Sequence, residues 1–231
     1  APAFPAVSVF FTFGNLLAFT ATCGTVKLHD WLRDTGCLAG SVAVNRARVG
    51  LKALNQAGLI SSDEIETSIS RISISLDLSG TVENTDLVIE AVSENLDLKR
   101  SLFHKVDKIA PPNAVLVSNT STFLPSALAV ATQRPSQVAG VHYYNPPHLL
   151  PGVEIIKGPE TSNGTVELLT GFYRSIGKSP ALIHKEIQGF IGNRLQVALL
   201  REAMSIVRDG HATAPEIDQV VRSRMGKLLS V

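Results

Sequence analysis

Short runs of β-branched and aliphatic residues recur as far as Lys185, and segments of helix length separate them. The runs at residues 7–13, 25–29, 72–75, 87–91, 115–118, 138–142 and 153–157 are nearly continuous in apolar character. Strands buried on both faces read this way, whereas a strand with one wet face alternates. Residues 42–57, 64–69, 96–109 and 165–176 predict helices between them. Strand and helix in turn predict an α/β fold: a Rossmann-like, doubly wound, mostly parallel sheet with crossover helices. After Lys185 the strands stop. Residues 190–207 form an amphipathic helix with Leu195, Leu199, Ala203 and Ile206 on one face. A last helix is expected from near Ala214, with Thr213 as its cap and Pro215 in its first turn. Residues 1–184 are read as a nucleotide-binding domain and residues 185–231 as the start of a helical C-terminal domain. That second part is too short to bury a core by itself.

Composition narrows the function classes. Apolar residues make up 45% of the 231 positions and charged residues 18%, which suits a folded domain. The net charge of +1, without a basic stripe, argues against a nucleic acid partner. Two cysteines, Cys23 and Cys37, offer no disulfide framework and favour a reducing, cytoplasmic setting. The first charged side chain is Lys27. An uncharged start can be a signal peptide or a membrane span. Here it lacks a basic leader, and Pro2, Pro5, Gly14 and Gly24 interrupt it. A buried first strand and helix is therefore expected, with no membrane partner and no metal.

The chemistry concentrates between Val141 and Glu154. His142 ends an apolar strand, Glu154 begins the next run, and Pro146, Pro147 and Pro151 stiffen the loop between them. A lone histidine on an apolar strand can be a satisfied core residue. Here Ser121 follows another strand end, and Asn193 stands on the helix that opens after Gly189-Phe190. An imidazole, an orienting carboxylate and two neutral hydrogen-bonding groups suit proton transfer on a secondary alcohol.

Such a reaction in an α/β domain calls for a glycine-rich turn after the first strand. Phe11-Thr12-Phe13-Gly14-Asn15-Leu16 keeps only Gly14 of the three glycines. The second strand ends in Asp30, which either accepts hydrogen bonds from the adenosine ribose or shapes a turn. Glu90-Ala91-Val92-Ser93-Glu94-Asn95-Leu96 lies where a central strand gives way to a helix, a usual place for ligand contacts and equally for a dipole-favoured acidic helix start.

Four motifs taken together resemble the 3-hydroxyacyl-CoA dehydrogenase family. They are Glu94-Asn95-Leu96-Asp97-Leu98-Lys99-Arg100, Ser118-Asn119-Thr120-Ser121, His142-x-x-Asn145-Pro146-Pro147, and Lys185-Glu186-Ile187-x-Gly189-Phe190-Ile191-x-Asn193-Arg194-Leu195-Gln196. Phe123-Leu124-Pro125-Ser126, the second proline Pro147, and Leu150-Pro151-Gly152-Val153-Glu154 are most similar to its lambda-crystallin (L-gulonate 3-dehydrogenase) and carnitine dehydrogenase branch. The resemblance implies NAD as cofactor, touched by Gly14, Asp30, Glu94, Lys99 and Asn145. It implies a His142/Glu154 acid–base pair, with Ser121 and Asn193 on the substrate. The substrate would be a small 3-hydroxy acid of L-gulonate or carnitine type, or alternatively an acyl-CoA thioester. A non-catalytic, truncated or crystallin-like relative is the rival reading. Full-length members of the family are expected to be homodimers. Two departures stand out: the lost glycines, and a chain that stops at Val231 before the family's helical dimerisation domain is complete.

Two outcomes follow. Asp30 would repel a ribose phosphate, so NAD should be preferred to NADP, and equal rates with both would refute this. With one glycine in the turn, a Cβ approaches the pyrophosphate at each substituted position. Calorimetry with NADH should therefore show weak binding, and a micromolar or tighter dissociation constant would contradict it.

Overall fold

The computed structural model describes residues 7–11, 26–30 and 39–225. The chain divides into two compact units, residues 1–188 and 189–231. In the first unit the described residues form β1 (Val7–Phe11), β2 (Val26–Asp30), α1 (Ala39–Gln56), α2 (Ser62–Ser70), β3 (Ile72–Ser75), α3 (Leu78–Val82), β4 (Leu87–Ala91) and α4 (Leu96–Ile109). There follow β5 (Val115–Ser118), α5 (Pro125–Ala129), β6 (Val138–Tyr143), β7 (Gly152–Ile156), α6 (Asn163–Ser175) and β8 (Ser179–Ile183). The second unit contains α7 (Ile191–Arg208) and α8 (Ala214–Val220).

The described strands make one sheet in the order β3-β2-β1-β4-β5-β6-β7-β8. Every neighbouring pair is parallel except β6 and β7. The order reverses between β1 and β4, where crossovers run to opposite sides. At such a switch point the carboxyl ends of the two strands open a crevice.

Strand side chains alternate between two cores. Leu87, Ile89, Val115, Val117, Ala139, Val141 and Ile155 pack with Ala47 of α1 and Leu169, Phe172 and Tyr173 of α6. Val88, Leu116 and Val138 pack on the other face with Val82 of α3, Leu102, Phe103 and Val106 of α4, and Leu128 and Ala129 of α5. Both faces are thus covered, which explains the near-continuous apolar strands. Each fully buried large apolar side chain contributes roughly 1.5–3 kcal/mol.

Local signals set the helix starts. Ser61 and Glu64 form a reciprocal capping box at α2. Asn95 accepts from the Leu98 amide at α4, and Ser162 from the Thr165 amide at α6. At α8 the Glu216 carboxylate accepts from the Thr213 amide at 2.7 Å.

The structure adds elements that the pattern did not predict. The strand β8 contains Pro180, and proline lowers any strand reading; it is tolerated here on a strand that, among the described strands, lies at the sheet edge and pairs with β7 alone. The short helices α3 and α5 fall below the length at which periodicity is readable. The antiparallel β6–β7 pair replaces a parallel crossover. The helix expected after Gly14 lies outside the described residues, and no described helix is long and apolar enough to cross a membrane.

Beyond the carboxyl end of β4 lies a buried ionic cluster. Lys99 and Glu90 are both fully buried. The Lys99 ammonium donates to both Glu90 carboxylate oxygens, at 2.8 and 3.1 Å, and to the Val92 carbonyl at 3.2 Å. Glu90 also accepts from the Ser118 hydroxyl and the Val92 amide. The cluster bolts β4, β5 and α4 together. Burial raises the Glu90 carboxyl above its ordinary value, against the opposing charge of Lys99. Lys99→Met would leave that carboxylate without its cation. Urea unfolding should show a loss of about 3–5 kcal/mol near neutral pH, and a loss below about 1 kcal/mol would contradict the assignment. A raised folded-state pKa favours folding in acid and disfavours it as pH climbs. The loss should therefore shrink below the ordinary carboxylate range.

Candidate active site

The hairpin β6–β7 brings His142 and Glu154 together. They are direct cross-strand partners, so both point to the same face. Their neighbours Val141, Tyr143, Val153 and Ile155 fill the opposite face, and the Tyr143 hydroxyl meets the Tyr173 hydroxyl at 2.6 Å. A one-residue slip would turn His142 into the apolar layer, so core packing fixes the pair.

His142 and Glu154 are buried. The imidazole Nδ1 lies 2.7 Å from Glu154 Oε2. An ionised carboxylate only accepts, so Nδ1 carries the proton and Nε2 presents its lone pair. Nε2 faces the Ser121 hydroxyl at 3.1 Å. The arrangement can take a proton at Nε2 while the carboxylate holds and stabilises the resulting cation. Tyr144 stands edge-on to the His142 ring, centroids 5.7 Å apart. Burial first, then the charge and hydrogen bonding of Glu154, push its phenol up to about 12.

Ser121 is placed by a tight turn. The Thr120 hydroxyl accepts from the amides of Thr122 and Phe123, at 3.0 and 2.9 Å, and donates to Glu94. Thr120 therefore links the candidate cofactor side to the candidate proton-transfer side. The turn is tied further by Gln188, which donates to the Thr122 carbonyl at 2.8 Å, and by Glu186, which accepts from the Ser126 amide at 2.9 Å. On the hairpin loop, Lys178 donates to the carbonyls of Pro147 and Leu150. Burial lowers the Lys178 ammonium from its ordinary value.

The expected cofactor residues fall as follows. Asp30 is the last residue of β2, in register with Phe11 at the carboxyl end of β1. Gly14 lies outside the described residues. Glu94 follows β4 with its side chain 40% exposed. Partial burial works to raise its carboxyl, but the Thr120 hydroxyl and the Lys99 ammonium outweigh that and hold it below the ordinary value. The protons of Lys99 are engaged by Glu90, Val92 and Glu94, so its influence on a ligand runs through Glu94. Asn145 is exposed at the hairpin tip. Asn193 lies in the first turn of α7, in the second unit. The Glu94 carboxylate, beyond β4 and beside the switch point, fits a dinucleotide that offers ribose hydroxyls.

Sequence reasoning missed Thr120, Tyr144, Glu90 and Lys178. Thr120 sat inside a noted motif, and Tyr144, just past the end of β6, follows His142 by two positions, the spacing that strand alternation puts on one face.

Comparisons with known proteins give the family. Residues 19–187 match the 3-hydroxyacyl-CoA dehydrogenase NAD binding domain, and residues 189–229 match the C-terminal domain of the same family. The chain belongs to the 3-hydroxyacyl-CoA dehydrogenase family. It is 37% identical over 209 residues to the mitochondrial hydroxyacyl-coenzyme A dehydrogenase of Sus scrofa, covering 89% of this chain and 66% of that one. It is 38% identical over 185 residues to lambda-crystallin of Oryctolagus cuniculus, covering 80% of this chain and 58% of the relative. Among solved structures, M. tuberculosis FadB2 superimposes with a TM-score of 0.85 at 26% identity, over 96% of this chain and 78% of that one. The chain thus spans 66% and 58% of the length of these two curated relatives.

Proposed function

We propose that the protein is an NAD-dependent oxidoreductase that oxidises the 3-hydroxyl of a small 3-hydroxy acid. The observation that carries this reading is the buried imidazole held by a carboxylate at Nδ1, with Nε2 turned to a neutral hydroxyl. NAD, when bound, supplies the hydride acceptor. Asp30 would hold the adenosine ribose, and Glu94 and Asn145 would line the cofactor crevice with Gly14 at its phosphate turn. His142 Nε2 removes the hydroxyl proton. Glu154 keeps the ring oriented and stabilises the imidazolium. Ser121 turns its hydroxyl from Nε2 to the substrate oxygen, and Asn193 steadies the emerging carbonyl.

A second reading has a CoA thioester as substrate. It draws support from the similarity to hydroxyacyl-coenzyme A dehydrogenase, which extends over more of this chain than the similarity to lambda-crystallin does. Turnover with NAD on free 3-hydroxy acids against 3-hydroxyacyl-CoA separates the two. Activity on neither would favour a structural relative, the reading to which the lone Gly14 points. A homodimer in a reducing, cytoplasmic compartment completes the proposal.

His142→Gln should lower turnover about 10²–10⁴-fold, the range for losing a general acid–base group. Steady-state rates with saturating NAD check this, and near wild-type turnover would sink the assignment.

A further inference from the structure

Ser121 lies exposed on the turn after β5, so burial does not hold it in place; its neighbour Thr120 is buried. The Thr120 hydroxyl accepts from the amides of Thr122 and Phe123, at 3.0 and 2.9 Å. A backbone N–H can only donate, so the two amides take both lone pairs of the oxygen and leave its single proton. That proton goes to the Glu94 carboxylate, which as an anion can only accept. Every position on the hydroxyl is thus committed, and the chemistry of each partner fixes the direction of its bond. Lys99 draws on the other Glu94 oxygen at 3.2 Å. The carboxylate is therefore held between a buried ammonium and a buried hydroxyl, while its own side chain stays 40% exposed.

We propose that Thr120 is a positioning residue for the reaction: its hydroxyl is the junction through which the Glu94 carboxylate fixes the turn that presents Ser121 to Nε2 of His142. This deepens the dehydrogenase reading above and rests on it. The Ser121 hydroxyl lies 3.1 Å from Nε2. The amides of Thr122 and Phe123 follow Ser121 directly in the chain, so anchoring them sets where Ser121 stands. A hydroxyl that donates to an anion becomes a stronger acceptor, because each bond polarises the next. The charge of Glu94 therefore reaches the Phe123 amide through the Thr120 oxygen. Gln188 also ties the turn, at the Thr122 carbonyl, but that bond carries no charge and does not pass through Thr120. Partial burial works to raise the Glu94 carboxyl, and Thr120 heads the groups that outweigh it; the Thr122 side chain acts on Glu94 as well, so the Phe123 amide is the cleaner probe. Glu94 is proposed to line the cofactor crevice, so the placement of Ser121 is tied to the state of that side of the site.

The test reads the Phe123 amide proton by NMR in the full chain, which requires no turnover. Glu94→Gln removes the charge and keeps an oxygen acceptor. In the wild-type background this change should move the Phe123 amide proton upfield. In Thr120→Val, which keeps the shape and removes the hydroxyl, the same change should leave the proton unmoved. In Thr120→Ser, which keeps the hydroxyl, it should move as in the wild type. A Phe123 proton that ignores Glu94→Gln in the wild-type background, or that responds equally with and without the hydroxyl, would overturn the proposal. If Thr120→Val does not fold, the wild-type and Thr120→Ser backgrounds decide in the same way. With NAD and a 3-hydroxy acid, Thr120→Val should lower kcat roughly 10–100-fold, the scale of a misplaced reacting group, and Thr120→Ser should restore most of it. Full turnover in Thr120→Val would also overturn the proposal. A merely structural threonine would show the loss of turnover without the Glu94 dependence at Phe123. If Phe123 responds as expected but the wild-type chain oxidises neither hydroxy acids nor thioesters, the junction stands and the dehydrogenase reading falls.

Discussion

A carboxylate and an imidazole buried together, facing each other across an antiparallel strand pair, anchor the proposed chemistry of this protein. Neither group is easily buried alone. An unpartnered carboxylate would take up a proton, and an unpartnered imidazole would lose its fixed tautomer. Paired at 2.7 Å, each justifies the other. Because the pair sits in direct cross-strand register, its geometry is set by backbone hydrogen bonding and by the apolar residues on the reverse face. The site is therefore as rigid as the sheet that carries it, and rigidity of this kind is what positioned proton transfer demands.

The second buried charge cluster works differently. Lys99 and Glu90 neutralise each other beneath the switch point, and Glu94 extends the network toward solvent. Thr120 then carries it to the turn that presents Ser121. A network of polar contacts thus runs from Lys99 through Glu94 to Thr120, the chain neighbour of the residue beside Nε2. Its members come from β4, α4 and the turn after β5, so the two halves of the proposed site share one framework.

Much of this was legible in the sequence. Continuous apolar strands at residues 87–91 and 115–118 announced burial on both faces, and those bounds agree with β4 and β5. The motifs marked His142, Glu154 and Ser121 as a set before any geometry was available. What the sequence hid was strand direction. The β6–β7 loop is proline-stiffened and carries no two-residue turn signal, so nothing local declares a hairpin. Yet only the antiparallel return brings the start of β7 beside the end of β6. The placement of Lys99 was equally hidden. The resemblance implied Lys99 as a cofactor contact, and only tertiary structure reveals that its ammonium is buried against Glu90. Tyr144 reads as loop, and its ring lies where a Cβ on residue 152, eight positions away, would crowd it, so that position is glycine.

The central claim is that Nε2 of His142 is where the substrate hydroxyl gives up its proton. A crystal structure of the chain with NAD and a 3-hydroxy acid bound tests it most directly. The account predicts the substrate hydroxyl oxygen within about 2.6–3.2 Å of His142 Nε2, with the Ser121 hydroxyl turned onto the same oxygen and Glu154 still on Nδ1. A substrate hydroxyl seated away from His142, with Nε2 still bonded to Ser121, would contradict it.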